Sequence, residues 1–177
     1  MARTETSPED RPDQPDQPGP DPSSSETSLT LDFFGTLVTF QVRSVETEGA
    51  YAILEMVVPP GRTAPQMHVH AAAETFQILE GEFEFRVSHD GPAKIFHAFP
   101  GDMAHIPPNV PHGFRNVSKS ASSLQIVISP GSMEGYFLEL GTLTTNTRAQ
   151  IKSPKPADKK RLAEIGQKYG IEILDID

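Results

Sequence analysis

The stretch ETFQILEGEFEFRVS, residues 74–88, decides the fold class. In its second half Phe83, Phe85 and Val87 alternate with Glu82, Glu84 and Arg86. Successive side chains of a strand point to opposite faces, so a period of two predicts a strand with one apolar and one charged side. Gly81 separates this strand from ETFQILE, a run rich in β-branched and aromatic residues. Similar runs lie on both sides: LTLDFFGTLVTFQV (29–42), AYAILEMVV (50–58), KIFHAF (94–99) and SLQIVIS (123–129). Between them stand Pro59-Pro60-Gly61, Asp90-Gly91-Pro92 and Pro100-Gly101-Asp102, all turn formers. Many short strands so punctuated predict an all-β sandwich or barrel.

The period changes after Pro130. In SMEGYFLELG the apolar residues Met133, Tyr136, Phe137 and Leu140 recur at helical spacing, with Ser132 placed to cap the start and Gly141 to end the helix. ADKKRLAEIGQKY predicts a second helix, with Leu162, Ile165 and Tyr169 on one face and Gly170 as its stop. The opposite end of the chain is different. PDQPDQPGPDPSSSE is rich in Pro, Asp, Gln and Ser, and nearly devoid of the hydrophobic residues that offset ordering entropy. The expected organisation is therefore a disordered tail (1–27), a β-barrel (28–131) and a helical extension (132–177) that packs on the barrel or a subunit contact.

Composition narrows the function classes. The 177 residues include no cysteine, so a metal would have to be held by His and carboxylate. The formal charge of -9 argues against nucleic acid or an anionic membrane as partner. Seven acidic residues against two arginines within 1–27 account for five of those nine charges, so the remainder is only mildly acidic. No apolar run approaches the roughly 18–20 residues needed to span a bilayer. The N-terminus also lacks a basic start followed by an apolar stretch, so a cytoplasmic location is expected.

Chemistry concentrates in two segments. His68 and His70, in MHVHAAAE, share one face of a strand, where two imidazoles can converge on one ion. Glu74 has the same parity, although the Ala-rich turn between makes parity a weak guide for it. A carboxylate added to imidazoles is a set that leaves coordination positions open on a metal. The second segment, GDMAHIPPNVPHGFRN (101–116), brings a third imidazole, His112, after a turn stiffened by Pro107, Pro108 and Pro111. His89, His97 and His105 stand outside these patterns and are expected on the surface or in packing roles.

Together the two segments resemble the paired motifs of the cupin superfamily. The first reads Gly61, six residues, His68-Val69-His70, three residues, Glu74, six residues, Gly81. Its opening spacer is one residue longer than the commonest form. The second reads Gly101, five residues, Pro107-Pro108-Asn109, two residues, His112, three residues, Asn116, with Asn109 in place of a glycine. Asn is the residue that best replaces glycine in a left-handed turn. The resemblance implies a double-stranded β-helix (jelly-roll) barrel with one or two C-terminal helices. It also implies that His68, His70, Glu74 and His112 are metal ligands at the barrel mouth.

Such a site suits a divalent transition metal: Fe, Mn, Ni, Cu or Zn. Glu74 is also the candidate catalytic base. Phe76, Ile78, Phe114, Leu54 and Met56 share the ligands' strand faces and are candidate pocket walls for a small, partly apolar substrate that binds the metal through oxygen. The resemblance extends to quercetin dioxygenase-like members, so a dioxygenase-type reaction on a hydroxylated aromatic or enolic substrate is expected. A non-oxidative isomerase, cyclase or lyase, or a non-enzymatic binding module, is the alternative. A homodimer is expected by resemblance and because barrel edges need covering.

Overall fold

The run 29–42 is a hairpin rather than one strand. β1 (Thr30–Phe33) turns through Phe34 and Gly35, at φ 52° and 89°, into β2 (Thr36–Val42). Two consecutive left-handed residues are what a two-residue hairpin needs to match the twist of its strands. The Asp32 carboxylate accepts from Gly35 N–H at 2.7 Å and closes the turn. The pattern of β-branched residues marked the strands here, but Phe at a left-handed position hid the turn.

The structure, a computed structural model, describes residues 29–61, 63–89, 91–151 and 158–174; the tail expected at 1–27 lies outside them. The remaining strands are β3 (Ala52–Val58), β4 (Thr63–Val69), β5 (Ala73–Glu80), β6 (Phe83–Val87), β7 (Lys94–Ala98), β8 (Met103–Ile106), β9 (His112–Asn116), β10 (Ser122–Ser129), β11 (Thr142–Leu143) and β12 (Glu172–Ile173). They form two antiparallel sheets among the described residues, ordered β11-β1-β2-β3-β10-β5-β8 and β12-β4-β9-β6-β7. Chain neighbours β4 and β5 lie in different sheets, as do β5 and β6, and β9 and β10. The chain thus passes repeatedly between the sheets, the topology of a jelly-roll, double-stranded β-helix.

The apolar faces meet in one core. Phe76 of the larger sheet sits edge-on to Phe85 and Phe114 of the smaller, with ring centroids 5.3 and 5.4 Å apart. Edge-to-face rings add to what area burial alone contributes. The charged face of β6 behaves as its alternation predicted for Arg86, which is exposed. Glu84 on the same face is nevertheless buried, because Arg86 and Arg115 close over it with ion pairs.

Helix α1 (Glu134–Leu140) begins later than Ser132 predicted. Residues Gly131–Met133 form a 3-10 turn first, so Ser132 does not cap the helix. Gly141 does end it, but at φ -76°, so its need for glycine is crowding: an added Cβ would lie 2.7 Å from Phe137 O and 2.8 Å from a Leu31 methyl. Helix α2 (Lys159–Lys168) is capped by Asp158, whose carboxylate accepts from the N–H groups of Lys160 and Arg161. Leu162, Ile165 and Tyr169 pack on the core, and Gly170 at φ 71° turns the chain into β12. No helix among the described residues is long and apolar enough to cross a membrane.

The glycines of both sequence motifs hold left-handed turns: Gly61 at φ 70°, Gly81 at 82° and Gly101 at 94°, with Asn109 at 60°. The last residue of the second motif, Asn116, is a fully buried hub. Its amide donates to Val58 O (2.9 Å) and Ser120 O (2.8 Å) and accepts from Ser118 N–H (2.8 Å) and Ser122 Oγ (3.1 Å). It therefore ties β3, β9 and β10 together far from any chemistry. Asn116→Ala strands several buried partners, and an equilibrium urea titration should show a loss of about 3 kcal/mol. The glycines should separate in the same assay. At Gly81 a Cβ would lie 1.9 Å from Ser122 Oγ as well as at positive φ, whereas at Gly101 nothing lies within 4 Å. Gly81→Ala should cost roughly 2–4 kcal/mol and Gly101→Ala only about 1.

Candidate metal centre

Register builds the centre. β4 and β9 pair so that His68 lies directly opposite His112, and the two rings stand 4.3 Å apart between centroids. His70 follows just past the end of β4 and presents its ring 5.2 Å from His68 and 5.0 Å from His112. Glu74 comes from the other sheet, near the start of β5. The four side chains are all buried, and one donor atom from each lies within 4.8 Å of every other.

The backbone sets the rings. Nδ1 of His70 hydrogen-bonds Ala72 O at 3.0 Å, and Nδ1 of His112 hydrogen-bonds Val110 O at 2.8 Å. A carbonyl only accepts, so each Nδ1 carries the proton and each Nε2 is left for the centre of the cluster. The turn Pro107–Asn109 is fixed to the same point: Asn109 N–H donates to His70 O at 2.8 Å. This gives a structural reason for the left-handed Asn109, which lets the loop fold back onto the first motif.

Electrostatics divides the four. Burial works against the charge of Glu74, but the hydrogen bond from His112 and the nearness of His70 outweigh it and hold the carboxyl well below the usual range. For His112, burial likewise opposes the proton, but the 2.9 Å contact from Nε2 to Glu74 Oε2 raises its affinity for one. His70 Nε2 is enclosed without a hydrogen bond, with Glu74 Oε2 at 3.7 Å. An enclosed imidazole nitrogen lacking a partner is costly in a protein interior. A cation among the three rings and the carboxylate relieves that deficit, so the donor set fits a divalent transition metal.

A cavity opens on this cluster, lined by His68, Glu74, Met56, Phe114, Ile126 and, from the chain's first strand and C-terminal elements, Phe33, Met133, Tyr136, Phe137, Ile171 and Ile173. Of the five pocket residues expected from sequence, Met56 and Phe114 line it. Leu54, Phe76 and Ile78 are not among its lining residues; they are core, at most 1 % exposed. Strand parity assigns a residue to the inner face but not to a depth. Phe76 and Ile78 run from Glu74 away from the mouth and fill the barrel. The C-terminal wall was read from sequence only as packing helices. His97 and His105 stay outside the cluster: His97 pairs with Glu82 at 2.6 Å, His105 with Thr75 at 2.9 Å, and His89 is exposed.

Residues 54–129 match the family model described as a cupin domain. No curated protein matches the sequence. Similar solved structures include a recombinant oxalate oxidase in complex with glycolate, at 20% identity and TM-score 0.48, covering 55% of this chain and 52% of that one. An RmlC-like cupin family protein with a double-stranded β-helix fold from Methanocaldococcus jannaschii is similar at 20% identity and TM-score 0.40, covering 47% and 72%. The chain spans about half the length of the oxalate oxidase it matches. The matched segment carries all four candidate ligands, His68, His70, Glu74 and His112, and runs from within β3 to the end of β10. Residues 54–129 are thus a cupin domain, and the mouth of its barrel is walled by the chain's own C-terminal elements.

Proposed function

We propose that this protein is a metal-dependent oxidoreductase of the dioxygenase type, acting on a small, oxygen-bearing substrate that enters the apolar cavity. The observation that carries the reading is a buried three-histidine, one-carboxylate cluster with one orphaned imidazole nitrogen, facing a cavity with almost no other polar lining. A bound transition metal would be held by His68, His70, Glu74 and His112, and would supply open coordination positions and redox chemistry. An apolar, enclosed wall favours dioxygen and an organic substrate over competing water.

The protein's own residues do the positioning. Ala72 and Val110 carbonyls fix the His70 and His112 tautomers, so neither ring has to reorganise when its Nε2 is called on. Glu74 lines the cavity as well as the cluster, so it is the carboxylate that a substrate hydroxyl meets. Its low proton affinity makes it an acceptor of a hydrogen bond from that hydroxyl and a weak base. The cavity is small, about 30 Å³ of space for water-sized molecules, so the substrate is compact or turns the flexible Met56 and Met133 side chains aside.

Two measurements test this. Protein purified anaerobically and analysed for metals should hold about one transition-metal ion per chain, falling at least tenfold in His112→Ala. The same samples should consume oxygen only with substrate; equal turnover without oxygen would move the assignment to a non-oxidative, Lewis-acid reaction. Metal uptake should also depend on pH in a defined direction. The His112 proton affinity is raised above the ordinary 6.5, so its ion pair with Glu74 is present below that value and lost as pH climbs through the raised one. A metal takes the ring without that proton. Affinity for added Zn(II), followed by competition with a chelating dye, should therefore rise with pH through this window and be flatter in Glu74→Gln.

A further inference from the structure

Beyond the cluster itself, the cavity wall carries one polar side chain among the described residues, Tyr136 of α1. The residue is 4 % exposed, and its ring packs between Phe33 and Phe137, at 5.8 and 5.7 Å between centroids. Those two neighbours are phenylalanines, and a third would serve the packing equally well. The hydroxyl is thus the part that packing does not explain. It makes no hydrogen bond to any described residue. Among the described residues the fully enclosed side-chain atoms without partners are Thr36 Oγ1, His70 Nε2 and Arg115 Nε; the Tyr136 oxygen, which is not one of them, keeps some accessible surface. Burial raises its pKa to about 12, so it is a neutral phenol, able to donate a hydrogen bond at physiological pH.

We propose that Tyr136 is the second polar contact of the ligand. The substrate is two-ended: an oxygen group faces the metal cluster, a short apolar body crosses the cavity, and a hydrogen-bond acceptor meets the Tyr136 hydroxyl. This rests on the metal-centre reading and adds to it the substrate class and the residue that selects it. Tyr136 is a specificity-determining residue that lies in the C-terminal wall, outside the matched cupin segment. A hydrogen bond from a neutral phenol discriminates an acceptor from a methylene through the polar group it would otherwise leave unpaired.

The test uses Co(II)-loaded protein and short hydroxamates, read by the change in the visible cobalt spectrum. Butyrohydroxamate and methoxyacetohydroxamate are one matched pair, differing by an ether oxygen in place of a methylene. Hexanohydroxamate and its 4-oxo analogue form a longer pair bearing a carbonyl. Wild-type protein should bind the acceptor-bearing member of at least one pair about tenfold tighter than its alkyl partner. Tyr136→Phe should bring that ratio to within about twofold while alkyl binding stays unchanged. Thermal melting of the variant should be equal to or slightly above wild type, because the ring contacts remain and an unbonded hydroxyl is gone. No preference in wild type, or the same preference in both proteins, overturns the proposal. A uniform loss of all four probes in Tyr136→Phe also overturns it, leaving Tyr136 a packing residue. If the alkyl hydroxamates fail to perturb the cobalt spectrum of wild type at all, the metal-centre reading falls instead.

Discussion

The contact between Glu74 and His112 joins the two sheets at the barrel mouth, and the rest of the site is arranged around it. Glu74 belongs to the larger sheet and His112 to the smaller, and their side chains meet at 2.9 Å with almost no exposure. Both groups lose most of their hydration, and each offsets the other's desolvation only while the sheets hold this spacing. Stability is not the reason to build such a pair. A barrel mouth filled with Leu and Phe would close at lower cost, as the fully buried core around Phe76, Phe83 and Phe85 does. The polar cluster makes physical sense as a place that a cation completes.

The second sequence motif carries two separate jobs. Its first half, through Pro107–Asn109, folds back so that Asn109 N–H holds His70 O and Val110 O orients His112. Its last residue, Asn116, works at the far end of β9, saturating its amide with Val58, Ser118, Ser120 and Ser122. The spacing between His112 and Asn116 is then the length of one short strand, with ligand at one end and anchor at the other. The turn that positions the imidazole and the hub that positions the strand constrain each other through rigid backbone hydrogen bonds.

Much of this was legible in the sequence, for identifiable reasons. Period-two alternation is a local property, so β6 could be read from Phe83, Phe85 and Val87 alone. HxH on a strand also determines which ligands share a face, and the left-handed Asn109 follows from its short polar side chain. What was not legible depends on distance along an axis. Phe76 and Ile78 have the right parity for a pocket but lie too deep. The Phe34-Gly35 turn was hidden because the hairpin's needs put an aromatic residue at positive φ. The contribution of Met133, Tyr136 and Phe137 was hidden because helical periodicity reports a buried face and not what that face looks onto.

That last group changes how the site is to be understood. The barrel supplies the four candidate ligands, but five lining residues come from the 3-10 turn before α1, α1 itself, the chain just after α2, and β12: Met133, Tyr136, Phe137, Ile171 and Ile173. β12 is not merely laid over the opening. It pairs with β4 so that Ile173 sits opposite His68, and Leu174 N–H donates to Met67 O at 2.8 Å. The strand that bears His68 and leads directly into His70 is therefore the strand to which the wall is hydrogen-bonded. The wall and His68 thus share one ladder, so the position of Ile173 is set by the same strand that sets His68. Candidate ligand and cavity wall are built on the same strand, which is why the C-terminal elements are counted as part of the site and not as an appendage to it.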